Sequence, residues 1–471
     1  MRFLLFIFIA TLCINAPGQS GRVNPTGTPA ASTVATELSI KQMFEEANGY
    51  NRVKFAEYEQ KKIAYSEKLR LSTERAQRQL AAKYATAAAT RTNLTGEEIY
   101  YVGLLNWIAE NYDGTIESLK KFLDSPDQKP ERTQNARSIL VFVFAKQKKF
   151  DEALKYLADY EAAGTPKTVD RWRMNSELAK SYVATKDLSK ALTFAMRSYD
   201  ASKALIKDPT AKVNPADAVL DAGMLVFEIN RDLGKMKEAD TALADMRDLA
   251  GSINSPTFFY YSADKLVTYQ IETGRKTLGM ETYLAALNQA GKDFAARGTN
   301  NEALDRLKKR EKQYKLLMEP APELVGMVEW FPGTPKTLAS LKGKVVLLDF
   351  WATWCGPCFD AFPALAEWHQ DFSGDGLVIV GMTRYYGRAE GMPADHPSEI
   401  AFLKRFKEKQ KLDYDFAVAD DQFTQVSYAA TGLPTTVLID RKGVVRYVES
   451  GTNPTRIEEL RAMVIKLLSE K

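Results

Sequence analysis

Cysteine and histidine are scarce in this chain. Its 471 residues include three cysteines and two histidines. Three cysteines are too few for a disulfide framework or for a zinc site built from four thiolates. His369 and His396 stand far apart in different sequence contexts, so a histidine-based metal site is not expected either. The sequence therefore predicts no metal site, and no cofactor is expected.

A large excess of one charge is also missing. Lysine and arginine together number 64 and aspartate and glutamate 60, with both signs interspersed along the chain. This balance predicts no basic surface, and a nucleic-acid partner is not expected. Hydrophobic residues make up 45% of the chain and charged residues 26%, which is typical of a globular protein. The length allows two or three domains.

The sequence has no long apolar run except Phe3 to Ile14. An arginine precedes this run and small residues follow it, so we place a signal peptide at 1–20, with cleavage after Ser20. The run is too short to span a bilayer, which takes about 20 apolar residues. Lipidation at Cys13 is the alternative, but Leu12 stands where a small residue is expected. We therefore expect an exported protein, periplasmic or in the cell envelope if bacterial, with no transmembrane segment in the mature chain.

Changes in composition divide the mature chain into regions. Residues 21–37, rich in Thr, Ala, Pro and Ser, are predicted to be a disordered lead-in. Between 38 and 317, apolar residues recur at three- and four-residue spacing, which predicts helices. Four prolines in 318–335 indicate a linker or a leading hairpin. From 336 to 471 strands and helices alternate, so the predicted fold class is an all-α N-terminal domain followed by an α/β domain.

The apolar runs of the α/β region predict its elements in order. Five strands are expected, at Val345–Phe350, Leu377–Met382, Tyr414–Ala417, Thr435–Ile439 and Val444–Val448. Three helices are expected, from the cysteine motif to about Phe372, at Pro397–Lys411 and at Thr455–Ser469.

A weak repeat runs through the helical region. Four small residues stand early in predicted helices, separated by 38, 38 and 48 residues: Thr115, Ala153, Ala191 and Ala239. Small residues at such places let two helices approach closely. The pattern resembles tetratricopeptide helix hairpins, whose period is about 34 residues, and an irregular helical bundle is the alternative. Either arrangement predicts a stacked helical surface for binding protein partners.

The two remaining cysteines, Cys355 and Cys358, form a Cys-x-x-Cys pair between a predicted buried strand and a helix. Unpaired N–H groups at a helix start stabilise a thiolate on the first cysteine. We expect Cys355 to be exposed and to attack a substrate disulfide, and the less exposed Cys358 to resolve the mixed disulfide. Gly356 would let a substrate chain approach, and Pro357 suits the first helical turn. A Cys-x-x-Cys pair can also be half of a zinc site, but the chain has no second pair.

Residues 345–359, with the sequence VVLLDFWATWCGPCF, resemble the active-site strand and turn of the thioredoxin superfamily. The resemblance implies that Asp349 is a buried carboxylate that transfers protons to and from the resolving cysteine. It also implies that Trp351 and Trp354 flank the site and that Pro363 kinks the active-site helix. The catalytic residues expected from the motif and the resemblance are therefore Cys355, Cys358 and Asp349.

A second part of the resemblance lies in Gly432-Leu433-Pro434-Thr435. These residues match the superfamily loop whose cis-proline faces the dithiol. A cis bond before Pro434 would leave the backbone groups of Leu433 free to pair with a bound substrate strand. The residues expected to bind substrate are Trp354, Gly356, Pro357, Leu433 and Pro434.

The export signal and the segment before the first strand resemble the TlpA/ResA-like branch over about 320–471. Its members are exported thiol-disulfide oxidoreductases with an extra N-terminal hairpin and an insertion, expected here at 384–396. Two departures stand out. Ala361 occupies the place of the glutamate typical of members that reduce cytochrome c apoproteins, and Gly381 occupies the place of a lysine that pairs with the buried carboxylate in cytosolic thioredoxins.

The sequence thus predicts an exported protein disulfide reductase with a thioredoxin-like domain and a helical domain that binds clients or partners. Its expected partners are protein disulfides, a membrane or exported electron donor and proteins that bind the helical domain. A helical scaffold with a subsidiary redox domain is one alternative. A thiol peroxidase is another, but Ala352-Thr353-Trp354-Cys355 lacks the Pro-x-x-x-Thr/Ser-x-x-Cys context of peroxiredoxins.

Overall fold

A computed structural model of the chain describes residues 38–126, 129–164, 166–295 and 301–470. The predicted signal peptide, Cys13 and the predicted lead-in lie outside the described residues. The described residues form two compact units, 38–242 and 243–470. Within these residues, no helix combines the length and apolar character needed to cross a bilayer.

The first unit is helical. Its helices are α1 (Ile40–Gln60), α2 (Glu67–Ala89), α3 (Gly96–Ile108), α4 (Tyr112–Leu123), α5 (Pro130–Lys146), α6 (Phe150–Ala162), α7 (Thr168–Ala184), α8 (Leu188–Leu205) and α9 (Pro215–Asp232), and α10 (Met236–Ser252) begins in this unit. Ser39 and Thr95 start α1 and α3 with reciprocal capping boxes. The small residues Thr115, Ala153 and Ala191 are fully buried, as close helix packing requires.

The second unit contains three more long helices before its sheet: α11 (Pro256–Glu272), α12 (Lys276–Ala295) and α13 (Glu302–Leu316). The helical prediction for 38–317 is therefore confirmed over the described residues. The last of these helices ends at Leu316, just before the proline-rich segment begins.

The sheet of the second unit has six strands in the order β1-β6-β3-β2-β7-β8. They are β1 (Met327–Phe331), β2 (Val345–Phe350), β3 (Leu377–Arg384), β6 (Asp415–Ala419), β7 (Thr435–Ile439) and β8 (Val445–Ser450). Strands β2, β3 and β6 are parallel, whereas β1, β7 and β8 pair antiparallel with their neighbours. All six residues of β2 are buried, as expected for a central strand.

The helices of this α/β part are α14 (Gly356–Phe359), α15 (Phe362–Phe372), α16 (His396–Lys409), α17 (Phe423–Ser427) and α18 (Pro454–Ser469). Residues of α14, α15, α16 and α18 share one apolar cluster with Val345 and Leu347 of β2. The predicted active-site helix is two segments, α14 and α15, with Pro363 in the first turn of the second one. The fold class predicted from the sequence is confirmed.

Several elements of the α/β part were absent from the sequence prediction. Strand β1 lies in the segment predicted to be a linker or hairpin, and its pairing with β6, more than 80 residues away, makes it a strand. A two-stranded hairpin of β4 (Arg388–Ala389) and β5 (Met392–Pro393) occupies the predicted insertion. Helix α17 is a single short turn after β6.

Candidate active site

The cysteine pair follows directly from the carboxyl end of β2. Cys355 is the N-cap residue of α14, and it is joined to Cys358 by a disulfide with the two Cα atoms 5.4 Å apart. The expectation that Cys355 is exposed is wrong for this oxidised state: Cys355 is 4% exposed and Cys358 0%. The reason is that the Cys355 sulfur is bonded to a sulfur that lies in the core. Gly356 and Pro357 between them are exposed.

Asp349 lies in the middle of the sheet, in register with Gly381 on β3 and Thr436 on β7. Its side chain is fully buried. Burial raises the pKa of Asp349 to about 7, and the nearby Thr436 side chain lowers it by a smaller amount. Neither carboxylate oxygen has a partner at hydrogen-bond geometry among the described residues. A carboxyl group in this state can accept and return a proton near neutral pH.

Two aromatic rings occupy the space that a side chain at Gly381, beside Asp349, would need. A Cβ at Gly381 would lie 2.8 Å from the ring of Phe416 and 3.1 Å from Nε1 of Trp351. Trp351 is 1% exposed and packs against Phe362, Phe406 and Phe416, so it lies beneath the site instead of flanking it at the surface. The packing therefore explains why no larger residue than glycine stands here.

The proline loop lies next to the dithiol. The Leu433–Pro434 peptide bond is cis, and Thr435 just after it pairs with Phe350, the last residue of the strand that leads to the cysteines. Leu433 packs against the apolar cluster that contains both cysteines. Neither the N–H nor the C=O of Leu433 takes part in a backbone hydrogen bond among the described residues. These two groups are free to pair with an extended peptide.

Trp354 forms the exposed side of the site. It is 61% exposed, and its ring meets the edge of Tyr386 at 5.5 Å with the two planes at 89°. The guanidinium of Arg384, the last residue of β3, lies 4.2 Å from the centre of the Tyr386 ring. Sequence reasoning missed Arg384, because its contact with the Tyr386 ring that Trp354 also meets depends on how the chain folds after β3.

A buried carboxylate holds the loop that carries Tyr386. Glu399, 3% exposed on α16, accepts hydrogen bonds from the N–H groups of Tyr386 and Gly387, both at 2.9 Å. His396 at the start of the same helix stacks on Tyr385 at 3.7 Å. The insertion is therefore fixed in place next to the cysteine motif, and no sequence signal identified Glu399.

This sheet order, with a dithiol after the central strand and a cis-proline loop beside it, defines a thioredoxin-type domain. The model of the Redoxin family matches residues 320–464. Among curated proteins, Protein DipZ of Mycobacterium tuberculosis is 32% identical over 153 residues, which are 32% of this chain and 21% of DipZ. Thiol-disulfide oxidoreductase ResA of Bacillus cereus is 34% identical over 137 residues, 29% of this chain and 70% of ResA.

Among solved structures, a thiol:disulfide interchange protein of the thioredoxin family from Chlorobium tepidum TLS is 24% identical. The match covers 32% of this chain and 96% of that one, with a TM-score of 0.26. The chain spans about a fifth of the length of the DipZ proteins. Through its C-terminal third, this chain belongs to the TlpA/ResA-like family of thiol-disulfide oxidoreductases in the thioredoxin superfamily.

Proposed function

We propose that this chain is an exported thiol-disulfide oxidoreductase that reduces disulfides in other proteins. One arrangement carries the proposal: Leu433 of the cis-proline loop packs against the apolar cluster that contains the Cys355–Cys358 pair, and the strand that leads to the pair carries the buried Asp349. The family match supports it, because ResA is named a thiol-disulfide oxidoreductase.

The proposed reaction is two successive thiol–disulfide exchanges. The Cys355 thiolate attacks one sulfur of the client disulfide, and the other client sulfur leaves as a thiolate. The Cys358 thiolate then attacks the Cys355 sulfur, which forms the Cys355–Cys358 disulfide and releases the second client thiolate. Two electrons pass from the dithiol to the client, and the two protons lost by the cysteines end on the client thiols. A membrane or exported dithiol donor restores the reduced pair.

In the second exchange, Asp349 accepts the proton of the Cys358 thiol. Cys358 is fully buried, so bulk water has poor access to its thiol. A carboxyl group with a pKa of about 7, on the strand immediately before the motif, takes the proton of the Cys358 thiol and passes it on to the released client thiolate. The free N–H and C=O of Leu433 hold the client strand beside Cys355 during both steps.

The helical region would bring clients or partner proteins to this site. The buried small residues at Thr115, Ala153 and Ala191 support a tetratricopeptide-like stack, in which such residues separate neighbouring helices. In this view the helical surface raises the effective concentration of a client near the dithiol. A scaffold with a subsidiary redox domain remains the alternative, and it predicts partner binding that does not depend on the cysteines.

A trapping experiment tests the proposal. In the Cys358→Ala variant the mixed disulfide on Cys355 is not resolved, so clients stay covalently attached and run as larger species on non-reducing gels. The Cys355→Ala/Cys358→Ala double variant is the matched control and retains no client. Wild-type protein is expected to reduce insulin disulfides, whereas the Cys355→Ala and Cys358→Ala single variants are not. Insulin reduction near the wild-type rate in either variant would contradict the dithiol mechanism, and rapid peroxide consumption would favour a thiol peroxidase instead.

A further inference from the structure

A small cleft opens beside the proline loop. It lies at the carboxyl ends of the three parallel strands, and Phe350, Thr383, Ala419 and Leu433 are among the residues that line it. Arg384 lines it as well. The cleft therefore adjoins the backbone groups proposed to hold a client strand.

Two polar side chains in this cleft have buried atoms without partners. Oγ1 of Thr383, a residue only 7% exposed, has no hydrogen-bond partner among the described residues, and neither does Nε of Arg384. The guanidinium donates from one Nη to the Tyr385 carbonyl at 3.2 Å and lies over the Tyr386 ring. Leaving such buried donors unpaired costs free energy, which a ligand that accepts from them would recover.

Arg384 also brings a positive charge to the edge of the cleft. No carboxylate forms an ion pair with it within the described parts of the chain. Glu399, which approaches the same loop, already accepts from two backbone N–H groups. Asp421, exposed at the rim of the cleft, accepts from the N–H of Phe423 at 2.8 Å. The charge is therefore available to an incoming anion.

We propose that Thr383 and Arg384 bind a carboxylate of the client polypeptide next to the cysteine under attack. The inference rests on the proposed function, because a client strand paired with Leu433 would point alternate side chains toward the cleft. A guanidinium with Nε free presents a fork of donors that matches a carboxylate side-on. Exposed Trp354 and Phe423 provide apolar surface for the client chain. The subsite therefore selects clients that have an acidic side chain or a C-terminal carboxylate beside the disulfide.

Matched disulfide peptides test this subsite. They share one intramolecular disulfide and differ only in the residue before the attacked cysteine, which is Glu, Gln or Lys. One further pair of peptides places the cysteine last in the chain, with a free or an amidated C-terminus, to separate a side-chain carboxylate from a terminal one. Reduced wild-type protein is expected to favour Glu over Gln by about tenfold in kcat/KM, with Lys poorest. The preference shrinks as salt is raised.

Variants locate the preference. Arg384→Gln is expected to bring the Glu/Gln ratio close to one, Arg384→Lys to keep part of it, and Thr383→Val to reduce it. Arg388→Gln removes an exposed arginine from β4 and is expected to leave the ratio unchanged. If wild-type protein reduces none of the peptides, the proposed function itself fails. Equal rates for Glu and Gln in the wild type, or a preference that survives Arg384→Gln, would overturn the carboxylate subsite and leave the reductase function standing.

Discussion

Asp349 is neutral in the folded protein over a pH range in which it is charged in the unfolded chain. Burial raises its pKa from 3.8 to about 7. Between these values the folded state holds a proton that the unfolded state has lost, so the free energy of unfolding falls as the pH rises from about 4 to about 7. The pKa differs by about three units between the two states, and each unit corresponds to about 1.4 kcal/mol, so the free energy of unfolding falls by about 4 kcal/mol over this range.

The Asp349→Asn variant should remove this pH dependence. Relative to wild type, it should gain about 4 kcal/mol of stability between about pH 4 and about pH 8, because the amide does not ionise. Its disulfide reductase rate should fall, since the proton acceptor for Cys358 is lost. Urea denaturation across this pH range measures the first effect. The control is Asp360→Asn, which removes an exposed carboxylate close to the cysteine motif. A stability difference between Asp349→Asn and wild type that does not change with pH would contradict the prediction.

Gly381 should tolerate no side chain. A Cβ there would come within 2.8 Å of the Phe416 ring, which is itself packed against Trp351. We expect Gly381→Ala to lower the free energy of unfolding by about 1–3 kcal/mol, because two core rings must shift. Gly374→Ala is the control, since a Cβ there has open space. Equal denaturation midpoints for the two variants would show that the core can adapt without cost.

At the scale of elements, helix α13 covers the edge of the sheet. Arg310, 5% exposed, donates to the Val448 carbonyl at 2.9 Å and forms ion pairs with Asp264 on α11 and Glu449 on β8 at 2.7 and 2.9 Å. Gln313 donates to the Ser450 hydroxyl at 2.9 Å. An exposed edge strand invites pairing with other chains, so α13 protects β8. This helix lies before the residues matched by the Redoxin family.

Arg310→Ala should destabilise the second unit by about 3–5 kcal/mol, because it leaves two carboxylates without their shared cation in a buried place. Lys315→Ala on the same helix removes an exposed ion pair with Glu311 and should cost less than about 1 kcal/mol. Thermal or urea denaturation of the full chain measures both. A small effect of Arg310→Ala would mean that water replaces the guanidinium at this edge.

At the scale of the whole molecule, the reduction potential decides whether the protein acts as a reductant or as an oxidant. Gly356 and Pro357 between the cysteines resemble reducing thioredoxins, whereas strongly oxidising relatives carry a histidine there, which stabilises the thiolate form. We therefore expect a reduction potential nearer that of thioredoxin, about −270 mV, than that of the strongly oxidising relatives, about −120 mV. Equilibration with glutathione buffers measures it. Pro357→His should raise the potential, and a wild-type value above about −180 mV would make the protein an oxidant or isomerase.

Sequence alone predicted the parts of this protein whose signals are local. The run Val345–Phe350 is continuous and apolar apart from Asp349, so it could only be a buried strand, and its bounds agree with β2. The spacing of Cys355 and Cys358 needs no knowledge of the fold, because three residues at a helix start bring the two sulfurs together. The helices of 38–317 follow from periodicity in the same way.

Tertiary structure decided the features that depend on residues far apart in the chain. Strand β1 exists because it pairs with β6, and Arg310 meets Val448 across 138 positions. The cleft of Thr383 and Arg384 forms only where three strand ends and the proline loop converge. The burial of Cys355 likewise depends on the core around its partner sulfur. Local patterns specify elements through backbone sterics and periodic burial, whereas the contacts between elements depend on side chains that the chain brings together only when it folds.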